Sequence, residues 1–113
     1  MIRVLLADDH PVVRAGLRGM LAAEPDIEVA GEAASGPEAV ARARTGGYDV
    51  ILMDLRMPGG DGAAATEHIL AADPDARVLI LTTYEADADI LRAVEAVTTA
   101  IERGLLPPPG ANR

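Results

Sequence analysis

Val50-Ile51-Leu52-Met53-Asp54 is a run of four apolar residues closed by a carboxylate, and Leu55-Arg56-Met57-Pro58-Gly59-Gly60-Asp61-Gly62 follows at once. The run reads as a buried strand because it is short, aliphatic and bounded by turn formers. An ionisable group delivered by such a strand reads as a working acid. Two other runs repeat the arrangement: Val4-Leu5-Leu6-Ala7 ends in Asp8 and Asp9, and Val78-Leu79-Ile80-Leu81 ends in Thr82 and Thr83. Polar groups at the carboxyl ends of three strands point to an open parallel α/β sheet. In such sheets ligands bind at that edge, beside the point where strand order reverses.

Strand-like segments begin near Ile2, Ile27, Asp49 and Arg77, with segments of helical period between them, so the repeating unit is βα. In the first helix Val13, Leu17, Met20 and Leu21 share one face and predict a buried stripe, with Pro11 in the first turn and Arg14 and Arg18 facing water. The second is expected to start after Ser35 as N-cap, to turn Ala39, Val40 and Ala43 inward, and to stop at Gly46-Gly47. The third follows Asp61-Gly62 and buries Ala65 and Ile69, with Leu70 a further candidate, before Asp73-Pro74 ends it. A long fourth helix, from about Ala86 to Gly104, carries Ile90, Val94 and Val97 on one face, widened by Leu91 and Ile101. Pro107-Pro108-Pro109-Gly110 fits neither helix interior nor central strand. The expected organisation is one domain over 1–103 and a Pro-rich tail over 104–113, extended or disordered.

Composition narrows the function. The 113 residues are half apolar without Trp or Phe, so the core is built from aliphatic residues, Ala and Met. The net charge of −8 repels phosphate backbones and argues against this chain alone gripping nucleic acid. Its ten basic residues besides His10 and His68 are all arginine, and there is no lysine. Without cysteine, disulfides and thiolate chemistry are excluded. No apolar run approaches the roughly 20 residues that span a bilayer, and the amino terminus goes straight into a strand. The expected location is cytoplasmic, without a membrane anchor.

Asp8, Asp9 and Asp54 converge if the first and third strands are neighbours. Close like charges are unfavourable, so the cluster either holds a cation or takes up a proton, and oxygen ligands suit a hard ion such as Mg²⁺. The plainer reading has Asp8 or Asp9 capping the first helix and Asp54 lying in a turn. Joint occurrence with Thr82 weighs against it. His10 reads as a loop or cap histidine, and His68 as a solvent-side residue with no metal partner. Met20 and Met53 read as core, Met57 as loop packing.

Asp8-Asp9-His10-Pro11, the run ending in Asp54 with Met57-Pro58-Gly59-Gly60-Asp61-Gly62 after it, and Leu81-Thr82-Thr83-Tyr84-Glu85 together resemble the receiver domain of two-component response regulators, especially the NarL/FixJ type. The resemblance covers residues 1–96. It implies a flavodoxin-like, doubly wound parallel sheet of order 2-1-3-4, and a phosphoryl group accepted on Asp54 from a sensor histidine kinase. It also implies Mg²⁺ held by Asp8, Asp9, Asp54 and the backbone carbonyl of Arg56, and a hydrogen bond from Thr82 to the phosphoryl group. Such a module is a phosphoacceptor and not an enzyme beyond self-phosphorylation and autodephosphorylation. Any DNA binding would belong to an output domain that this chain does not carry.

The sequence departs from that pattern at its end. The family's fifth strand, with its lysine, is missing or replaced by Val97-Thr98-Thr99-Ala100-Ile101-Glu102-Arg103-Gly104. An ammonium about 4 Å from the phosphoryl oxygens contributes on the order of 4 kcal/mol at an effective dielectric of about 20. A second reading is therefore a phosphorylation-incompetent protein acting by dimerisation or partner binding. Without a fifth strand the fourth is an apolar edge, and a homodimer through that edge or through the fourth helix is expected. A metal-dependent phosphohydrolase is disfavoured because Arg56 stands where its second acid would be.

Overall fold

The computed structural model describes residues 1–55, Met57 and 62–81. Four strands and three helices alternate within them: β1 (Ile2–Ala7), α1 (Pro11–Ala22), β2 (Ile27–Ala33), α2 (Gly36–Thr45), β3 (Val50–Asp54), α3 (Gly62–Ala72) and β4 (Val78–Leu81). All three strand pairings are parallel and the order is β2-β1-β3-β4. The readings for Arg56, Thr82, the loop over 58–61, the fourth helix, the replaced fifth strand and the tail over 104–113 lie outside the described residues.

Strand order explains where the helices sit. The step from β1 to β2 runs one way and the steps from β2 to β3 and β3 to β4 run the other, so right-handed crossovers put α1 on one face and α2 with α3 on the opposite face. The core is split accordingly. Val4, Leu6, Val50 and Leu52 pack with Leu17 and Leu21 of α1. Leu5, Ala7, Ile51 and Met53 face the other way, onto Ala39, Ala65 and Ile69 of α2 and α3. A strand flanked by strands and covered on both faces needs a continuous apolar run, which is why all of β3 is buried.

The expected starts at Ile2 and Ile27 hold, and β3 and β4 begin one residue later than expected, at Val50 and Val78. Ser35 caps α2 as expected, its hydroxyl accepting from the Glu38 amide at 3.2 Å, and the helix stops at Gly46 and Gly47, both at positive φ. Three packing expectations are corrected. Val13 is 49% exposed: α1 begins at the carboxyl edge of the sheet, and its buried stripe among the described residues is carried by Leu17 and Leu21, with Met20 partly covered. Leu70 is 38% exposed because Gly62, Ala65 and Ile69 form the inward face of α3, and Leu70 lies about 100° further round. Arg14 does not face water; its side chain is 22% exposed and lies on Glu32. Met57, read as loop packing, joins the α2–α3 side of the core.

One irregularity lies in β2. Val4 pairs with Val29 but Leu5 with Gly31, so Ala30 is an extra residue and forms a bulge. Past the bulge, Glu32 pairs with Leu6 and joins the face of Val4 and Val29. The alternation is inverted from there to the end of the strand.

Candidate functional site

The strand order reverses between β1 and β3, and the two run side by side with Ala7 opposite Met53. Asp8 follows Ala7 and Asp54 ends β3, so both carboxylates emerge at the carboxyl edge of the switch point. Asp8 and Asp54 are buried, at 4% and 7% exposure. One ligand atom each from Asp8, Asp9, His10 and Asp54 lies within 4.8 Å of the others. The convergence expected of the three aspartates is therefore met, and the imidazole of His10 joins them.

Local backbone chemistry holds Asp8. Its amide donates to the Ala33 carbonyl at 3.0 Å, and its Oδ1 accepts the His10 amide at 2.8 Å. Asp8 thus closes the turn before α1. Among the described residues no side chain caps the helix: His10 is the N-cap residue and makes no side-chain capping bond, while Pro11 opens the first turn. The plain capping reading of Asp8 and Asp9 fails for that reason. His10 Nδ1 stands 3.2 Å from Asp8 Oδ1 and 3.0 Å from Asp9 Oδ1, with most of the ring exposed.

Asp9 is different. Its Oδ1 is buried and has no hydrogen-bond partner among the described residues, although His10 Nδ1 stands 3.0 Å away. A buried carboxylate oxygen without a donor is costly, and it is the kind of atom that a cation satisfies. The donor set is right for a hard ion: carboxylate oxygens converging from two strand ends.

One neighbour of the site escaped the sequence reading. Arg14 Nη1 donates to the Asp8 carbonyl at 2.7 Å and its Nε donates to Glu32 Oε1 at 3.1 Å. Arg18 Nη1 donates to Glu32 Oε2 at 3.2 Å. The i, i+4 spacing of the two arginines was visible, but the acid that receives both was not, because the bulge reverses the face on which it lies. Gly62 lies beside the site as well, and it is a glycine that the sequence offers for close backbone approach. Its amide donates to the Leu55 carbonyl at 2.8 Å, and a Cβ there would run into the backbone carbonyl of Asp54.

A doubly wound sheet of order 2-1-3-4 with carboxylates gathered over its switch point defines a flavodoxin-like α/β domain with an acidic site. The chain belongs to the response regulator receiver domain family, whose model matches residues 4–101. It is 49% identical over 96 residues to the transcriptional regulatory protein LiaR of Bacillus subtilis, a match covering 85% of this chain and 46% of that protein. Over 96 residues it is 45% identical to the DNA-binding transcriptional activator DevR/DosR of Mycobacterium tuberculosis, covering 85% of this chain and 44% of that one. The chain thus spans less than half the length of these curated relatives. Among solved structures, response regulator TrrA of Thermotoga maritima in complex with Mg(2+)-BeF superposes with a TM-score of 0.75 at 26% identity, covering 86% of this chain and 99% of that one. No helix among the described residues is long and apolar enough to cross a membrane.

Proposed function

We propose that the chain is the phosphoryl-accepting switch of a two-component pathway, located in the cytoplasm, and that it controls a transcriptional output carried elsewhere. The observation that carries this reading is the convergence of Asp8, Asp9 and Asp54 at the switch point of the sheet. Family membership supports it, as does the description of DevR/DosR as a DNA-binding transcriptional activator.

In this reading a carboxylate oxygen of Asp54 attacks the phosphorus of a phosphohistidine on a sensor histidine kinase. A P–O bond forms, the P–N bond breaks, and the imidazole leaves with the electron pair. A carboxylate is a weak nucleophile, so the rate depends on positioning and on neutralising charge on the phosphoryl oxygens. Burial of Asp54 at the end of a rigid strand supplies the positioning. Asp8, Asp9, Asp54 and the backbone carbonyl of Arg56 would hold Mg²⁺, and the buried Asp9 Oδ1, without a donor among the described residues, supports that assignment. When bound, the ion supplies the positive charge that the acidic site lacks. Thr82 would donate its hydroxyl to the phosphoryl group. The chain is a phosphoacceptor with at most self-phosphorylation and autodephosphorylation, and 1–103 is the receiver unit, with 104–113 a Pro-rich tail.

The experiment is chemical. The chain is incubated with acetyl phosphate and Mg²⁺, and mass spectrometry reads one added phosphoryl group that is lost in Asp54→Asn. The sequence contains no lysine, and this favours one alternative: a receiver that no longer takes up phosphate and acts by dimerisation or partner binding. No adduct on a chain that still binds Mg²⁺ selects that alternative.

A further inference from the structure

We infer that Arg14 is a positioning residue for the acidic site, one that sets the direction of the Asp8–Asp9 peptide and through it the affinity for a divalent cation. The inference rests on reading Asp8, Asp9 and Asp54 as cation ligands. Arg14 lies in the first turn of α1, and two separate nitrogens of its guanidinium are engaged: Nη1 by the Asp8 carbonyl at 2.7 Å and Nε by Glu32 at 3.1 Å. Because the guanidinium is planar and rigid, these two bonds tie the exit of β1 to β2 in one fixed geometry. Glu32 is itself held from the other side by Arg18.

The Asp8 carbonyl belongs to the peptide plane that joins the two site aspartates. Fixing its oxygen fixes the plane, and the position from which the Asp9 side chain departs follows. Asp8 has other restraints, since its amide is tied to Ala33 and its carboxylate to the His10 amide. Asp9 has fewer, because its Oδ1 takes no hydrogen bond among the described residues and meets the exposed His10 ring alone there, at 3.0 Å. Its aim therefore depends on the backbone, and the Arg14 bond is the side-chain contact that holds that backbone from α1. Arg18 shares the Glu32 partner but donates no hydrogen bond to Asp8 among the described residues, and its side chain is 57% exposed. The pair thus separates a role in holding α1 to β2 from a role at the site.

The test is a calorimetric Mg²⁺ titration of the full chain as parent, Arg14→Ala, Arg14→Lys and Arg18→Ala, with folding and melting temperature followed by circular dichroism. Arg14→Ala is expected to weaken Mg²⁺ binding about tenfold, as residues that orient metal ligands do. Arg18→Ala is expected to stay within about twofold of the parent, in keeping with an exposed ion pair. Arg14→Lys keeps the charge but cannot span both acceptors, so it is expected to fold and still bind Mg²⁺ at least about threefold more weakly. It also decides the matter if the alanine variant does not fold. Folded Arg14 variants that bind within about twofold of the parent overturn the inference, as does Arg18→Ala losing as much affinity as Arg14→Ala. A parent chain that binds no Mg²⁺ overturns the cation reading itself, a failure distinct from unchanged affinity in the variants.

Discussion

Gly62 sits where the chain re-enters structure after Asp54, and nothing larger fits: an added Cβ would collide with the Asp54 carbonyl, which is backbone and cannot swing away. At Gly31 a Cβ would meet the hydroxyl end of Tyr48, a side chain that can rotate. Gly62→Ala is therefore expected to cost roughly 3 kcal/mol and Gly31→Ala about 1 kcal/mol, both read by urea denaturation. Equal losses, or a neutral Gly62→Ala, would show that the β3–α3 connection is not tight. The three aspartates were legible in the sequence because each closes or follows an apolar run, and their joint occurrence with Thr82 sets them apart from single turn carboxylates. Arg14 was not. Apolar spacing assigns the buried face of a helix, and a partly buried cation whose acceptors are a carbonyl and a distant acid leaves no mark on that pattern.

Element boundaries were legible to within a residue at the four strand starts, because aliphatic runs and turn formers mark both ends of a strand. Facing was less legible. The extra residue at Ala30 puts Val29 and Glu32 on one face, where strict alternation separates them, and a bulge of this kind has no sequence signature of its own. Val13 and Leu70 fit the helical spacing yet lie where no sheet is beneath them among the described residues. Packing, which depends on where a helix crosses the sheet edge, decides such positions. Strand β4 raises a question at the same scale. Among the described residues it is the outer strand of the four, Val78, Leu79 and Ile80 are only partly buried, and an apolar edge without a neighbour offers amides and carbonyls to a second chain. We propose a homodimer formed through that edge, or through the helix that the sequence predicts after it. Sedimentation at tens of micromolar is expected to give a dimer, and a monomer at that concentration counts against both forms.

For the whole molecule the decisive property is charge set against topology. The sheet brings at least three carboxylates to one rim in a chain that already carries a net charge of −8, and folding must work against that repulsion. Arg14 reaches the rim through the Asp8 carbonyl, and its charge is shared with Glu32. An ion that binds the folded rim and not the unfolded chain therefore stabilises the protein by linkage, with a gain of RT ln(1 + [ion]/Kd). At Mg²⁺ tenfold above its Kd the gain is about 1.4 kcal/mol, which raises the melting temperature of a domain near this size by roughly 5 °C or more. The rise should continue logarithmically with concentration and exceed that given by NaCl at equal ionic strength, since screening alone acts on all surface charges alike. Asp9→Asn removes the carboxylate whose buried oxygen has no donor among the described residues, so it is expected to raise stability in the absence of Mg²⁺ and to flatten the response to the ion. A melting temperature unchanged at millimolar Mg²⁺, or equal responses in parent and Asp9→Asn, would mean that the rim tolerates its charge without a cation, and the case for Asp54 as a metal-assisted phosphoacceptor would lose its physical basis.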